Sequence, residues 1–384
     1  MDLVSGLDMR KTGYVVLPLH GGHAPDWLTK RMKLLADEMI RLAVVEHGPD
    51  RFLERMADPY WFQALGCVLG FDWHSSGLTT VTMGIMKDVI TPQRHGIKIV
   101  GGKGRASRRA PTDIEEQGSV MGLSTSTLEE LKYASRICAK VDNSAIQAGY
   151  PIYHHTLLFS ERGRWTVIQQ GMNPSDRSAR RYHWLSEHVK DYVVEPHDAI
   201  VGDSVVETVL NMTAREAEEN RKVCVDLVKQ NPANLISSIK KIGSQSIPLD
   251  TWIEGGSAVS SPTPVTSAYE MPADLNWEVF QQLYDTQPRD YEELLALRGV
   301  GPATVRALAL VAQLIYGAEV SWRDPVKFSF AHGGKDGVPF PVNRPAMDGT
   351  IKFLRELLEA TEVERSHKVD AIRRLETLSL SWSA

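Results

Sequence analysis

The chain has 384 residues, 42 % of them apolar and 24 % charged, with a net charge of −5, which predicts two domains and excludes wholesale disorder. A mildly acidic body excludes a surface coated throughout for polyanions, so any nucleic-acid surface is a local patch. Three widely separated cysteines, Cys67, Cys138 and Cys224, give neither a disulfide framework nor a thiolate zinc site, and with no signal-like start and no membrane-length apolar window the sequence predicts a cytoplasmic protein.

YVVLPL at 14–19 reads as a short strand ended by the turn-forming HGG. Leu28, Met32, Leu35, Met39 and Leu42 then recur at helical spacing, and Gly48 and Pro49 end that helix. The aromatic, nearly uncharged run at 59–73 reads as core. IKIVGG is strand-like, inside a longer run at 93–109 that carries Arg94, Lys98, Lys103, Arg105, Arg108 and Arg109 with no acidic residue. A flexible, glycine-containing cationic loop suits a phosphate backbone, although the commoner fate of a charge run is a solvated surface. Thr127 and Glu130 stand at capping-box spacing and predict a helix over 128–139. The segment 150–171 reads as two β runs around a polar turn at 161–164, a hairpin. RSARRYHW at 177–184 adds Arg180 and Arg181 beside aromatic rings able to stack on bases.

Beyond about 205 the pattern is helical, broken by EGGSAVSSPTPVTSAYEMP, which reads as an exposed linker. The expected fold is therefore α+β, with a mixed α/β domain at 1–204 that carries the chemistry and a helical domain at 205–384. Within the second, Asp290 with Glu293 caps one helix, Gly299 and Gly301 permit a tight turn, Pro302 opens a second helix, and Gly317 ends it. This spacing at 290–317 matches a helix-hairpin-helix motif. Such an element takes a phosphate on the free N–H groups at the start of its second helix, without reading bases. The expected DNA contacts are Gly299, Gly301 and Thr304, joined by Lys103, Arg105, Arg108, Arg109, Arg180 and Arg181. The bland alternative is a helical hairpin whose glycines serve only the turn.

Bifunctional glycosylases with this motif place a lysine where this chain has Ala303, so that lyase chemistry is absent there, while Asp324, which a monofunctional glycosylase would use, lies near but not at their aspartate spacing. An Asp before a proline is more simply a solvent-facing turn residue. Candidate chemistry gathers elsewhere. Asp72, His74, Lys140 and Asp142 are the candidate catalytic residues, and His20, His23, His154 and His155 the candidate metal ligands. As a set they suggest a repair-type nuclease that uses a divalent ion, Mg²⁺ or Mn²⁺, to activate water. A glycosylase or lyase using Lys140, Lys103 or Asp324 is the second reading, and a non-catalytic DNA-binding adaptor the third. Taken singly, each residue reads more simply as a turn cap or a loop hydrogen-bonding group.

LPLHGGHAPDWL, DPYWFQALGCVLGFDWHSSGLTT, GGKGRASR and LRGVGPATVRALALVAQLIYG together resemble a prokaryotic group, domain-of-unknown-function family 763, over most of the chain. The resemblance implies a prokaryotic cytoplasmic protein and brings no assigned activity.

Overall fold

Alternation along the strands organises the molecule. The structure, a computed structural model, describes residues 26–70, 77–175, 178–202, 205–244, 269–326, 344–362 and 365–383. Five strands form one antiparallel sheet: β1 (Ile97–Lys103), β3 (Ile152–Ser160), β4 (Trp165–Asn173), β5 (Ser178–Leu185) and β6 (Ala199–Gly202), adjacent in that order. Strands β2 (Ile146–Gln147) and β7 (Leu210–Asn211) pair separately. Successive side chains of a strand point to opposite faces. Ile97, Ile99, Leu158 and Ile168 therefore join one apolar cluster, while Val100, Leu157, Phe159, Val167, Tyr182 and Trp184 join another. Both faces of the sheet are covered, and the fold is α+β.

The first face carries α1 (Asp26–His47), α2 (Pro49–Ala57), α3 (Pro59–Val68) and α4 (Gly77–Val89). In α1 the expected stripe is buried at Met32, Leu35 and Met39, and Gly48 closes the helix with its N–H on the Val44 carbonyl at 2.9 Å. The run from Tyr60 to Val68 is buried throughout, as its lack of charge predicts. Two short helices, α5 (Pro92–His95) and α6 (Arg105–Arg108), flank β1, followed by α7 (Ala110–Val120) and α8 (Thr125–Lys140). The N-cap of α8 is Ser124, whose hydroxyl accepts the Thr127 N–H at 3.2 Å, so the helix starts earlier than the Thr127–Glu130 spacing predicts. The hairpin of β3 and β4 turns at 161–164, as read from the sequence.

The second face receives α7 and α8 together with later helices: α9 (Glu218–Val228), α10 (Pro232–Ser244), α11 (Trp277–Thr286), α12 (Tyr291–Ala296) and α13 (Pro302–Tyr316). The last two, α14 (Arg344–Ala360) and α15 (Arg365–Ser383), return to the first face, where Leu354, Leu357, Leu358, Ala371 and Leu375 are buried against the N-terminal helices. The C-terminal region is helical as expected, but both apolar clusters run across the 204/205 division. Strand 14–19 and nearly all of the expected linker lie outside the described residues. Among the described residues no helix is long and apolar enough to cross a membrane.

Strand β5 corrects the reading of Arg180 and Arg181 in RSARRYHW as DNA contacts. It lies between β4 and β6 with helices over both faces, and Arg180 and Arg181 are 0 % and 1 % exposed. Arg180 forms a two-pronged ion pair with Asp324 at 2.9 and 2.7 Å. Arg181 donates to His183 Nε2 at 2.8 Å and to the Gln63 side-chain oxygen at 3.1 Å. Neither guanidinium reaches a surface where a phosphate could meet it. Asp324 is equally buried rather than solvent-facing, and it also accepts the N–H groups of Val206 at 2.7 Å and Val326 at 3.2 Å.

Candidate functional site

The turn between α12 and α13 is built by local chemistry. The Asp290 carboxylate accepts the Glu293 N–H at 2.8 Å and starts α12. Gly299 has φ +94°, and a Cβ there would lie 2.8 Å from Val279, so the fold itself demands glycine. Val300 is buried and pins the turn to the core. Gly301 differs: its backbone is extended, and an added Cβ would meet nothing within 4 Å. Pro302 opens α13, and Gly317, at φ +69°, ends it.

Three side chains dock this turn against the end of α8 and the residues after it. The Lys140 ammonium donates to the carbonyls of Leu297, at 3.0 Å, and Val300. Gln147 donates to the Pro302 carbonyl at 2.8 Å and accepts from Arg306 at 3.0 Å. Tyr133 donates its hydroxyl proton to Glu292 at 2.5 Å. Burial lowers the pKa of Lys140. Replacing Lys140 with Met leaves both carbonyls without that donor and is expected to cost about 1–3 kcal/mol in chemical denaturation.

Between the turn and α8 lies a cleft of ≈ 830 Å³. Arg108, Arg136, Lys140 and Arg298 line it together with Gly299 and Gly301, and no Asp or Glu is among its described lining residues. Arg108, Arg136 and Arg298 are exposed. Four cations from three separate segments thus face one opening in a chain of net charge −5.

Ser135 and His155 also line this cleft, and a buried polar chain runs inward from them. His155 Nε2 lies 2.8 Å from Ser135 Oγ, and its Nδ1 lies 2.8 Å from Gln169 Oε1 on the paired position of β4. Gln169 Nε2 donates to Asp142 Oδ2, which also accepts the Trp184 indole N–H at 3.0 Å, while His197 Nε2 meets Asp142 Oδ1. Asp142 itself sits in one π-helical turn at Val141–Ala145 that continues α8. Burial lowers the pKa of His155, opposed by the Gln169 hydrogen bond and the charge of Asp142.

Of the residues singled out from sequence, the structure brings Arg108, Lys140, His155, Gly299 and Gly301 to the cleft. Lys103, Arg105 and Arg109 are exposed nearby on the end of β1, α6 and the residue after it, with Lys103 5.8 Å from the Tyr153 ring centre and Arg109 3.6 Å from Asp113. Thr304 is buried, 3 % exposed. His154 and His155 are neighbours on one strand, so they point to opposite faces and cannot share an ion. Both oxygens of Asp142, one of the catalytic candidates, already have partners, and among the described residues no group of three or more His, Cys, Asp or Glu could hold a metal. His20, His23, Asp72 and His74 lie outside the described residues. Sequence reasoning missed Arg136, Arg298, Ser135 and Gln169. Arg298 had a visible signal, a cation inside the glycine turn itself, whereas Arg136 and Ser135 are single polar positions on a helix with nothing to mark them.

The family model described as "Protein of unknown function (DUF763)" matches residues 13–342. The chain belongs to the DUF763 family. The match covers the sheet, α8 and the glycine turn, so both walls of the cleft lie within the DUF763 region. No curated protein and no solved structure shows significant similarity to this DUF763 chain.

Proposed function

We propose that this protein is a DNA-processing protein, a repair-type nuclease, that grips the sugar–phosphate backbone in the cleft between α8 and the 297–301 turn. The observation that carries the reading is the lining of the cleft, where Arg108, Arg136, Lys140 and Arg298 converge with no described carboxylate. Clustered cations without counter-charges favour a polyanion. The turn acts in this reading as a helix-hairpin-helix element. No side chain caps α13, which leaves its first amides for a phosphate oxygen, and Gly301 keeps the approach to them open. Binding is then largely independent of base sequence.

The test is fluorescence anisotropy with labelled single-stranded DNA, duplex DNA and RNA across a salt series. Binding should weaken with salt at a log–log slope of about −3 to −4 for four phosphate contacts, and Arg298→Gln should reduce that slope by about 1. Salt-independent binding, or none, overturns the proposal, and preference for RNA moves it to that polymer. Gly301→Ala is the sharper probe. Its fold has room for the methyl, so stability should stay within about 0.5 kcal/mol of the parent while DNA affinity falls. Unchanged affinity would mean that the turn only joins two helices.

A lyase reading would use Lys140, which lines the same cleft and whose pKa burial lowers, once its ammonium left the Leu297 and Val300 carbonyls. Borohydride trapping of a Lys140 adduct on abasic DNA would support it. Bound DNA left intact in every assay would leave a non-catalytic adaptor.

A further inference from the structure

The buried chain behind the cleft fixes proton positions. The Trp184 indole nitrogen can only donate, so Asp142 Oδ2 accepts, and the Gln169 group facing the same oxygen is its amide NH₂. The Gln169 carbonyl oxygen is thereby turned to His155 Nδ1, which carries the hydrogen of that 2.8 Å bond. His155 Nε2 is left with its lone pair toward Ser135, whose hydroxyl donates across 2.8 Å. A hydroxyl on an imidazole base, with a third group holding the ring, is the arrangement that activates a serine nucleophile. The pair sits in the wall of a cleft that carries four cations. Ser135 and His155 are 3 % and 4 % exposed, so they meet only what enters the cleft.

We propose that Ser135 and His155 form a metal-independent phosphodiester-cleaving centre, with Ser135 Oγ as nucleophile, His155 Nε2 as general base, and Gln169 as positioning residue. The inference rests on the reading of the cleft as a backbone grip. Ser135 Oγ forms a bond to phosphorus as its proton passes to His155 Nε2. The bond from phosphorus to one sugar oxygen breaks, and that oxygen, in line with Ser135 on the far side of phosphorus, takes a proton from water in the cleft. The hydroxide so formed attacks the phosphorus of the Ser135–DNA ester. The bond from phosphorus to Ser135 Oγ breaks, and Oγ recovers the proton held by His155. The sum is one phosphodiester and one water giving a phosphomonoester and an alcohol. Arg108, Arg136 and Arg298 supply the charge that stabilises the phosphorane.

The experiment uses the full chain with end-labelled single-stranded, duplex and forked DNA in EDTA, following cleavage and, in the same samples, binding. The expected result is cleavage in EDTA, lost by about 100-fold or more in Ser135→Ala and His155→Ala with binding retained. Ser135→Cys, a minimal change, should give a slow or trapped protein–DNA adduct on denaturing gels. Gln169→Glu should keep the nucleophile and shift the pH profile, a readout that a purely structural role would not move. In the parent, the acid limb should fall below pH 6.5, since burial lowers the pKa of His155; the groups acting on that ring are Asp142, Gln169 and the adjacent His154. Absence of DNA binding by the parent defeats the reading of the cleft. Binding without cleavage or adduct in EDTA, or cleavage retained by Ser135→Ala, overturns the assignment of the pair while leaving the grip standing.

Discussion

Asp324→Asn is expected to lose about 3–5 kcal/mol of folding free energy, because it leaves the Arg180 guanidinium charged and unpaired in the interior. Both side chains of the pair are 0 % exposed, and the two nitrogens of Arg180 meet the two oxygens of Asp324 at 2.9 and 2.7 Å. Asparagine keeps the shape but offers an NH₂ where Arg180 or the Val206 N–H needs an acceptor. Urea denaturation should show the loss in full. The paired change Arg180→Met with Asp324→Leu should recover most of it, because removing both charges also removes their desolvation cost. The comparison bears on function as well. If Asp324 were the acid of a glycosylase, the Asn variant would remain folded and lose only activity. A melting temperature equal to that of the parent would therefore contradict a structural role for the buried pair.

The same pair explains what could and could not be read from the sequence. Local signals were legible: the stripe of Met32, Leu35 and Met39, the 161–164 turn of the hairpin, and the order of Asp290, Gly299, Pro302 and Gly317 each specify structure within a few residues. Strand β5 was not legible, because a strand buried on both faces shows no alternation and its arginines gain partners only through the fold. Asp324 lies 144 positions from Arg180, and Gln63 lies 118 from Arg181. The cleft shows the same limit from the other side. Lys140 and Gly299 were each singled out, but only tertiary packing puts the ammonium on carbonyls 157 and 160 positions away and makes one site of two segments. Ser135 acquires its meaning only when β3 brings His155 beside it.

His154 should make the protein lose stability as pH falls. Its ring is 2 % exposed on β3, and neither nitrogen has a hydrogen-bond partner among the described residues. Burial, together with His155, Lys103 and Lys87, pushes its pKa from 6.5 to about 3. Between those values the unfolded chain takes up a proton that the native state refuses. The contribution to stability is complete above pH 6.5 and declines as pH falls toward 3. At 1.36 kcal/mol per unit, the difference amounts to as much as about 5 kcal/mol at the acid end. Other buried histidines, His155 and His183 among them, have lowered pKa values in the same direction, so the parent's acid sensitivity is their sum. His154→Leu isolates one share. At pH 7 it should be neutral or stabilising, since it removes two unpartnered ring nitrogens from the interior. At pH 4.5 its advantage over the parent should grow by about 2–3 kcal/mol in parallel urea titrations, because the variant has no proton to refuse at that position. Parallel curves for the two proteins would show that the native state admits a proton at His154, which requires water or a counter-charge beside the ring.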